Sequence, residues 1–466
     1  MEKRKKKRKA QNLNKRKEET RTSGLEDMND RYVAAIEISS SKILAAVGKM
    51  HEDGSLDIIA TDQERGVESV RYGVIRNLEE TSMRVTRVLD RLQLKPAVSP
   101  REITGVYVGL SGRSLRSIRT EVELNLADDT EITDDILRRL QEQALETAID
   151  TSLEVVDAIA RIYYVGKSET RSPKGAIGNR IRAVYDLIVC RPEIRRNLTR
   201  TLSDKIGLDI KGFVVTALST AQIVLTSEEK RLGCMLVDIG AETTTVTIYK
   251  DGALVYYATL PLGGRFITQD ITTLNVLEER AEEMKVTIGN AIARETPSTL
   301  NMNGIRTADV NNLITARAEE IVANIVEQLK YAELKESDLP AGLICVGGGS
   351  KLNGMTELLS QQTDMQVRIG QLPNYIHLEE TRMQTSDVVQ VAGVLYTGAS
   401  ESDEECLEMP GANELPVTGE GNEEETVGAS DDAQPRKRDN SFWDKLRTKV
   451  SDMFTNPEED DSDLIE

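Results

Sequence analysis

The chain has 466 residues, with 59 Lys+Arg against 78 Asp+Glu and a formal net charge of −19, an acidic balance that argues against a general nucleic-acid binder. Its length and 39% hydrophobic content provide for two to four domains with ordinary cores, at roughly 100–200 residues each. Four scattered cysteines (Cys190, Cys234, Cys345, Cys406) and two histidines (His51, His377) exclude a disulfide scaffold, a Cys/His zinc site and a histidine-based triad.

Residues 1–30 carry 11 Lys+Arg and 6 Asp+Glu, and the basic run 3–9 is followed by Gln11 and Asn12 rather than by an apolar segment. They read as a basic disordered tail that meets anionic lipid, nucleic acid or nothing. No stretch reaches the ~18 apolar residues of a membrane span, so a cytoplasmic location is expected. Residues 32–38, 42–49 and 55–60 are β-rich runs separated by a serine turn and by Asp53-Gly54. The same layout returns at Cys234–Ile239, 243–250 and Ala253–Leu260, with Asp251-Gly252 as a two-residue hairpin turn. One supersecondary unit is present twice.

The two copies place like chemistry at like points. Glu37-Ile38-Ser39-Ser40-Ser41-Lys42 ends a strand with a carboxylate and turns on small hydroxyl residues, as does Asp238-Ile239-Gly240-Ala241-Glu242-Thr243-Thr244. A third site, Gly347-Gly348-Gly349-Ser350, follows the apolar strand 343–346 and precedes a helical run through Leu359. Facing turns of this kind cradle a polyphosphate on backbone N–H groups and hydroxyls, while strand-end carboxylates orient waters around Mg²⁺. Taken singly, each turn is an ordinary hairpin.

Beyond residue 399 the chain is strongly acidic, with 21 Asp+Glu against 6 Lys+Arg, and 399–439 reads as a self-repelling flexible linker. Residues 441–454 then hold the chain's sole Trp and two of its four Phe. At ~100° per residue, Phe442, Trp443, Leu446, Val450, Met453 and Phe454 share one arc; Arg447 and Lys449 flank it and Lys445 lies farther round. Asn440 or Ser441 caps this amphipathic helix and Pro457 follows it. It is too short to span a bilayer. It suits a headgroup layer, or a groove on the protein itself or on a partner. The acidic run 458–463 weakens attachment to anionic lipid.

Three nucleotide-type turns in this order resemble the phosphate 1, phosphate 2 and adenosine motifs of the actin-like ATPase superfamily. Residues 101–119, with Val106-Tyr107-Val108-Gly109-Leu110-Ser111-Gly112, and 131–136 are similar to the extra subdomain of its bacterial cell-division FtsA family. So are residues 225–233, Pro261-Leu262-Gly263-Gly264-Arg265-Phe266 and Ala281-Glu282-Glu283-Met284-Lys285. The family usually reads Asp and Gly where Glu37 and Ser39 stand, and two glycines at Ala241 and Glu242. A Cβ in such a turn is unfavourable wherever φ must be positive, and Glu242 would bring negative charge towards phosphates.

The resemblance implies a two-lobed actin-like α/β ATPase fold with the FtsA-type subdomain, disordered tails and a C-terminal amphipathic helix. Lobe 1 would comprise 31–102, 179–230 and 371–398, with the insert at 103–178. Lobe 2 would comprise 231–265 and 338–370, with a small subdomain at 266–337; a membrane-targeting helix at 440–456 and an acidic tail at 457–466 would follow the linker. It further implies ATP and Mg²⁺ as cofactors. Asp238 (Mg²⁺ through water) and Glu37 would be catalytic. Ser39, Ser40, Ser41, Lys42, Gly240, Thr243 and Thr244 would be at the phosphates, and Glu282, Lys285, Gly347, Gly348 and Gly349 at the adenosine.

The implied function is that of an adaptor, at most a slow ATPase, that polymerises and tethers FtsZ to the inner face of the cytoplasmic membrane at the division septum. Its partners would be the FtsZ C-terminal peptide, met by Arg317, further copies of itself, other division proteins and the membrane surface, with no nucleic acid. The rivals on the same scaffold are a sugar or acetate kinase and a PilM-like pilus adaptor; the tethered helix speaks against both.

Overall fold

The computed structural model describes residues 30–292, 304–379 and 383–410. Strand β1 (Arg31–Ile38) has six consecutive buried residues, the pattern of a strand covered on both faces. It leads antiparallel into β2 (Lys42–Met50) and β3 (Leu56–Arg65). A short hairpin, β4 (Val70–Arg71) and β5 (Val74–Ile75), precedes helix α1 (Leu78–Gln93). Asn77 caps that helix through the Glu80 N–H, and Glu79 and Glu80 suit its positive end. Strands β6 (Glu102–Ile103) and β7 (Gly105–Leu110) follow.

A separate group comprises β8 (Arg116–Glu131), α2 (Asp134–Leu145), β9 (Glu154–Val165), β10 (Ser168–Thr170) and β11 (Ile177–Cys190), around its own core of Ile132, Leu140, Ala183 and Tyr185. The chain then returns through α3 (Glu193–Thr199), β12 (Asp209–Val215), α4 (Thr216–Val224) and α5 (Ser227–Leu232).

The second meander is β13 (Cys234–Ile239), β14 (Thr244–Lys250) and β15 (Ala253–Leu260). Its β14–β15 turn has positive φ at both Asp251 (54°) and Gly252 (83°), as the two-residue hairpin predicts. Helices α6 (Gly264–Thr272), α7 (Glu278–Ile288) and α8 (Thr307–Tyr331) come next, then β16 (Leu343–Val346), α9 (Met355–Thr363) and β17 (Val367–Ile369). Strand β18 (Ile376–Leu378), α10 (Thr385–Glu401) and β19 (Leu407–Glu408) complete the described chain.

Strand order makes the duplication explicit. The first sheet runs β12-β7-β1-β2-β3-β18, and five strands of the second run β15-β14-β13-β16-β17. Each has an antiparallel meander with two parallel strands added beside its first member. Helix α10 packs against the first sheet and α4. At Gly393 a Cβ would stand 2.8 Å from the Ser219 backbone, so only glycine lets these two helices approach so closely.

Strand pairing corrects the insert limits read from sequence as 103–178. Tyr107 and Val108 pair with Ala35 and Ile36, so β7 belongs to the first sheet. Strand β11 pairs with β8 through Val189, so the separate unit begins after Leu110 and ends at Cys190. It joins the second sheet at its β15 edge, where Ala258 is paired with Arg116. Ser117 Oγ accepts the Tyr257 N–H at 3.0 Å. Arg161 forms a two-bond ion pair with Asp186 (2.8 and 3.2 Å) and also donates to the Val255 carbonyl.

Asp186 is buried, which raises its carboxyl pKa, while Arg161 opposes the rise. Removing one partner of such a pair is far costlier than replacing both by apolar groups. Arg161→Ala is expected to lower stability by ~3–5 kcal/mol in urea unfolding, and the double change Arg161→Met, Asp186→Leu by much less. Equal losses in both would show that the stranded Asp186 charge is not what makes loss of Arg161 costly.

Candidate functional site

The two meanders present equivalent turns. Ser39 N–H donates to the Lys42 carbonyl at 2.9 Å, and Gly240 N–H to the Thr243 carbonyl at 2.8 Å. Ile38 pairs with Ile43 and Ile239 with Thr244, so Glu37 and Asp238 occupy the same place in each strand. Ser39 adds its hydroxyl to the Lys42 carbonyl at 2.9 Å. None of Ser39, Ser40, Ser41, Lys42, Ala241 and Glu242 has positive φ. The departures from glycine therefore strain neither turn.

Glu37 is buried, and its Oε2 has no hydrogen-bond partner. Burial pushes its pKa up, Lys42 pulls it down and Asp238 adds to the rise. Burial likewise raises Asp238, against Gln390 and Lys42. Gln390 Nε2 reaches both Asp238 oxygens at 3.3 and 3.4 Å from α10. The Lys42 ammonium donates to the Asp387 carbonyl at 3.0 Å, and Lys351 is ion-paired with the Asp387 carboxylate at 2.5 Å. A carboxyl with one unpartnered oxygen and a second one held only by an amide thus share one cation's field, and such a pair suits a hydrated divalent cation, which takes one or two carboxylates with water and phosphate oxygens.

The third loop lies directly against the second turn. Gly347 has φ of 85°, and a Cβ there would stand 2.2 Å from Asp238 Oδ1. Gly349 lies against Ile239, whereas Gly348 faces open space. Lys285 Nζ donates to the Gly264 carbonyl (3.1 Å) and to Thr268 Oγ1 (2.9 Å), and is ion-paired with Glu282 at 2.6 Å. Gly264 is itself beside Gly349. Glu282 and Lys285 are thereby fixed next to the glycine loop.

Other predicted residues are placed differently. Thr244 is buried and its hydroxyl donates to the Leu262 carbonyl at 2.7 Å, so that side chain fastens the turn from behind. Ser40 is buried and accepts the Gly73 N–H at 3.1 Å, while Ser41 is exposed. Glu242 is buried; Arg71 lies 2.7 Å away, Arg265 3.5 Å, and the Tyr72 N–H donates to it at 2.6 Å. Its charge is thus already paired. Arg317 is held by Asp270 at 2.7 and 3.1 Å and by Glu320, bridging α8 to α6. The membrane-facing set Phe442, Trp443, Lys445, Leu446, Arg447, Lys449, Val450, Met453 and Phe454 lies outside the described residues.

The sequence reading missed Gln390, Thr268, Arg71 and Arg265. Gln390 carries a local signal, as a single amide within Val388-Val389-Gln390-Val391-Ala392 that is buried in the fold. The arginines carry none, because their meeting with Glu242 is made by topology.

The raised Glu37 pKa has a definite sign. A carboxyl that ionises at higher pH when folded than unfolded loses stability as pH rises from the ordinary value, 4.5, through the folded value. Glu37→Gln is therefore expected to raise Tm at pH 7 by a few degrees without nucleotide, and to flatten the decline between pH 4.5 and 7. An unchanged Tm and slope in thermal scans would show that Glu37 is not held against its own charge.

A family model described as cell division protein FtsA matches residues 235–391, and one described as the SHS2 domain inserted in FtsA matches residues 112–189. The latter agrees with the corrected insert limits. The cell division protein FtsA of Porphyromonas gingivalis is 31% identical over 360 residues, covering 74% of each chain. That of Pseudomonas aeruginosa is 29% identical over 353 residues, covering 73% of this chain and 83% of the relative. Among solved structures, a PilM-PilN type IV pilus biogenesis complex matches with a TM-score of 0.57 at 14% identity, over 78% of this chain and 98% of that one, a likeness of fold alone. With both family models on the mixed α/β fold and a relative of 31% identity covered to 74%, the chain belongs to the FtsA family of cell division proteins.

Proposed function

We propose that this chain is an ATP-binding adaptor that polymerises, ties FtsZ filaments to the cytoplasmic membrane at the septum and helps gather other division proteins. Family membership supports the biological role. The observation that carries the nucleotide reading is the pair of carboxyls, buried Glu37 and half-buried Asp238, at equivalent ends of twin strand-turn-strand units, with Glu37 Oε2 lacking a partner.

In this reading Glu37 and Asp238 orient the waters of Mg²⁺, and Lys42 offsets their charge. Backbone N–H groups and hydroxyls around Ser39, Ser40, Ser41, Gly240 and Thr243 receive phosphate oxygens, with Thr244 bracing the second turn. Glu282, Lys285, Gly347, Gly348 and Gly349 receive the adenosine. Bound Mg-ATP supplies a multivalent anionic bridge between the lobes. Any hydrolysis is slow, since Glu37 and Ser39 stand where the family usually has Asp and Gly.

The amphipathic segment 441–454 rests in the headgroup layer with its aromatic residues buried and Lys445, Arg447 and Lys449 at lipid phosphates. No described helix is long and apolar enough to cross a membrane. The acidic FtsZ peptide docks on the small subdomain beside α8, where its carboxylates compete with Asp270 for Arg317. Polymerisation supplies avidity to a weak single anchor.

Two measurements test this reading. Calorimetry with ATP and Mg²⁺ is expected to show binding, and Gly347→Ala to weaken it at least about tenfold by displacing Asp238; absence of heat at millimolar nucleotide refutes the cofactor. In vesicle pelleting with FtsZ, the full chain is expected to carry FtsZ to anionic liposomes, whereas a chain ending at Asp439 leaves it in the supernatant. Equal pelleting removes the anchor.

A further inference from the structure

Glu242 stands at an unusual meeting point. It lies in the second turn, between Gly240 and Thr243, yet its carboxylate is turned towards the β4–β5 hairpin of the first half of the chain and is 2% exposed. Oε1 meets Arg71 at 2.7 Å and Arg265 at 3.5 Å, and Oε2 accepts the Tyr72 N–H at 2.6 Å. The next N–H, that of Gly73, is given to Ser40 in the first turn. Two successive backbone donors therefore serve the two facing turns, one each.

The hairpin tip has further ties. The Tyr72 ring lies 6.5 Å from Phe266 on α6, with Arg113 at 5.4 Å from the same ring. Tyr72 and Gly73 both have positive φ, 52° and 78°, and their N–H groups go to separate acceptors, Glu242 and Ser40. Of the two arginines, Arg265 is shared with Glu278 at 2.9 Å, whereas Arg71 has 42% of its side chain exposed. Two guanidinium charges and one backbone donor surround a single acceptor-only anion, and the Arg71 Nε, in ion-pair contact with Glu242 at 2.7 Å, makes no hydrogen bond of its own there and has donor capacity to give to a phosphate.

We propose that Glu242 is the displaceable occupant of a terminal-phosphate site formed by Arg71, Arg265 and the Tyr72 N–H. The inference rests on the nucleotide reading above and deepens it. A carboxylate and a phosphate cannot share these donors, because both are anions that only accept. A nucleoside triphosphate must turn Glu242 out to place its third phosphate there, while a diphosphate has no group to offer and leaves the pairing intact. Glu242 thus sets the preference between the two nucleotides, and its release frees the hairpin tip from the second turn when a third phosphate is present.

Calorimetry of the full chain with Mg-ATP and Mg-ADP tests this, on the natural sequence and on Glu242→Gln and Glu242→Gly. The first variant keeps the shape; the second restores the glycine usual in the family's turn, so one covers a folding failure of the other. Both variants are expected to bind ATP about tenfold more tightly, with ADP affinity within about twofold of the natural chain. Adding Arg71→Gln to either is expected to cancel the gain. An unchanged or weakened ATP affinity, or equal tightening for both nucleotides, overturns it while leaving nucleotide binding in place. Failure of all three chains to bind either nucleotide refutes the nucleotide reading, and this assignment with it.

Discussion

Two carboxyl groups held in one cleft are the constraint around which the described structure is arranged. Glu37 and Asp238 sit at matching positions of duplicated hairpins, burial raises both, and Asp238 makes Glu37 harder still to ionise. Lys42 and Gln390 are their counterweights. Lys42 is held by the Asp387 carbonyl and Gln390 lies on the same helix, so α10 controls both. That helix can deliver them because Gly393 lets it lie against the backbone of α4. A packing detail remote from the turns therefore fixes the electrostatics between them.

Most of the frame was legible in the sequence because it is written locally. Alternating or continuous apolar runs gave the meanders, Asp251-Gly252 the hairpin, and the matching strand-end carboxylates the duplication. The glycine loop was readable for the same reason, although only the structure shows that Gly347 makes room for Asp238. What escaped was non-local. The apolar run 105–110 was read as part of the insert, yet pairing with β1 makes it a strand of the first sheet. Arg317 has a local partner, Glu320, that spacing reveals; Asp270, 47 residues away, makes it a bridge between helices. Thr244 was assigned to phosphate by motif, but its hydroxyl serves the Leu262 carbonyl.

The insert solves an exposed-edge problem as well as adding a domain. Strand β15 ends the second meander and would otherwise present unpaired N–H and C=O groups, an invitation to association. Strand β8 meets that edge through a short registered contact, and Ser117 and Arg161 take up groups of Tyr257 and Val255 that the ladder leaves over. The result is a nine-stranded sheet in which side-chain bonds to Tyr257 and Val255, rather than a long ladder, hold the insert at that edge.

The replacement of glycine by Ala241 and Glu242 illustrates how one sequence change shifts a burden from conformation to charge. Neither residue has positive φ, so the turn accepts them without strain and keeps the Gly240 to Thr243 bond. The carboxylate that comes with Glu242 must then be answered, since an unpaired charge at 2% exposure would be prohibitive. Arg71 and the Tyr72 N–H supply that answer from the other half of the chain, and Arg265 from the helix that follows the second meander. A bare backbone turn contacts its opposite lobe only through shape. With Glu242 the contact is ionic, made by Arg71 from the hairpin and by Arg265 from the helix, and closed by the Tyr72 N–H.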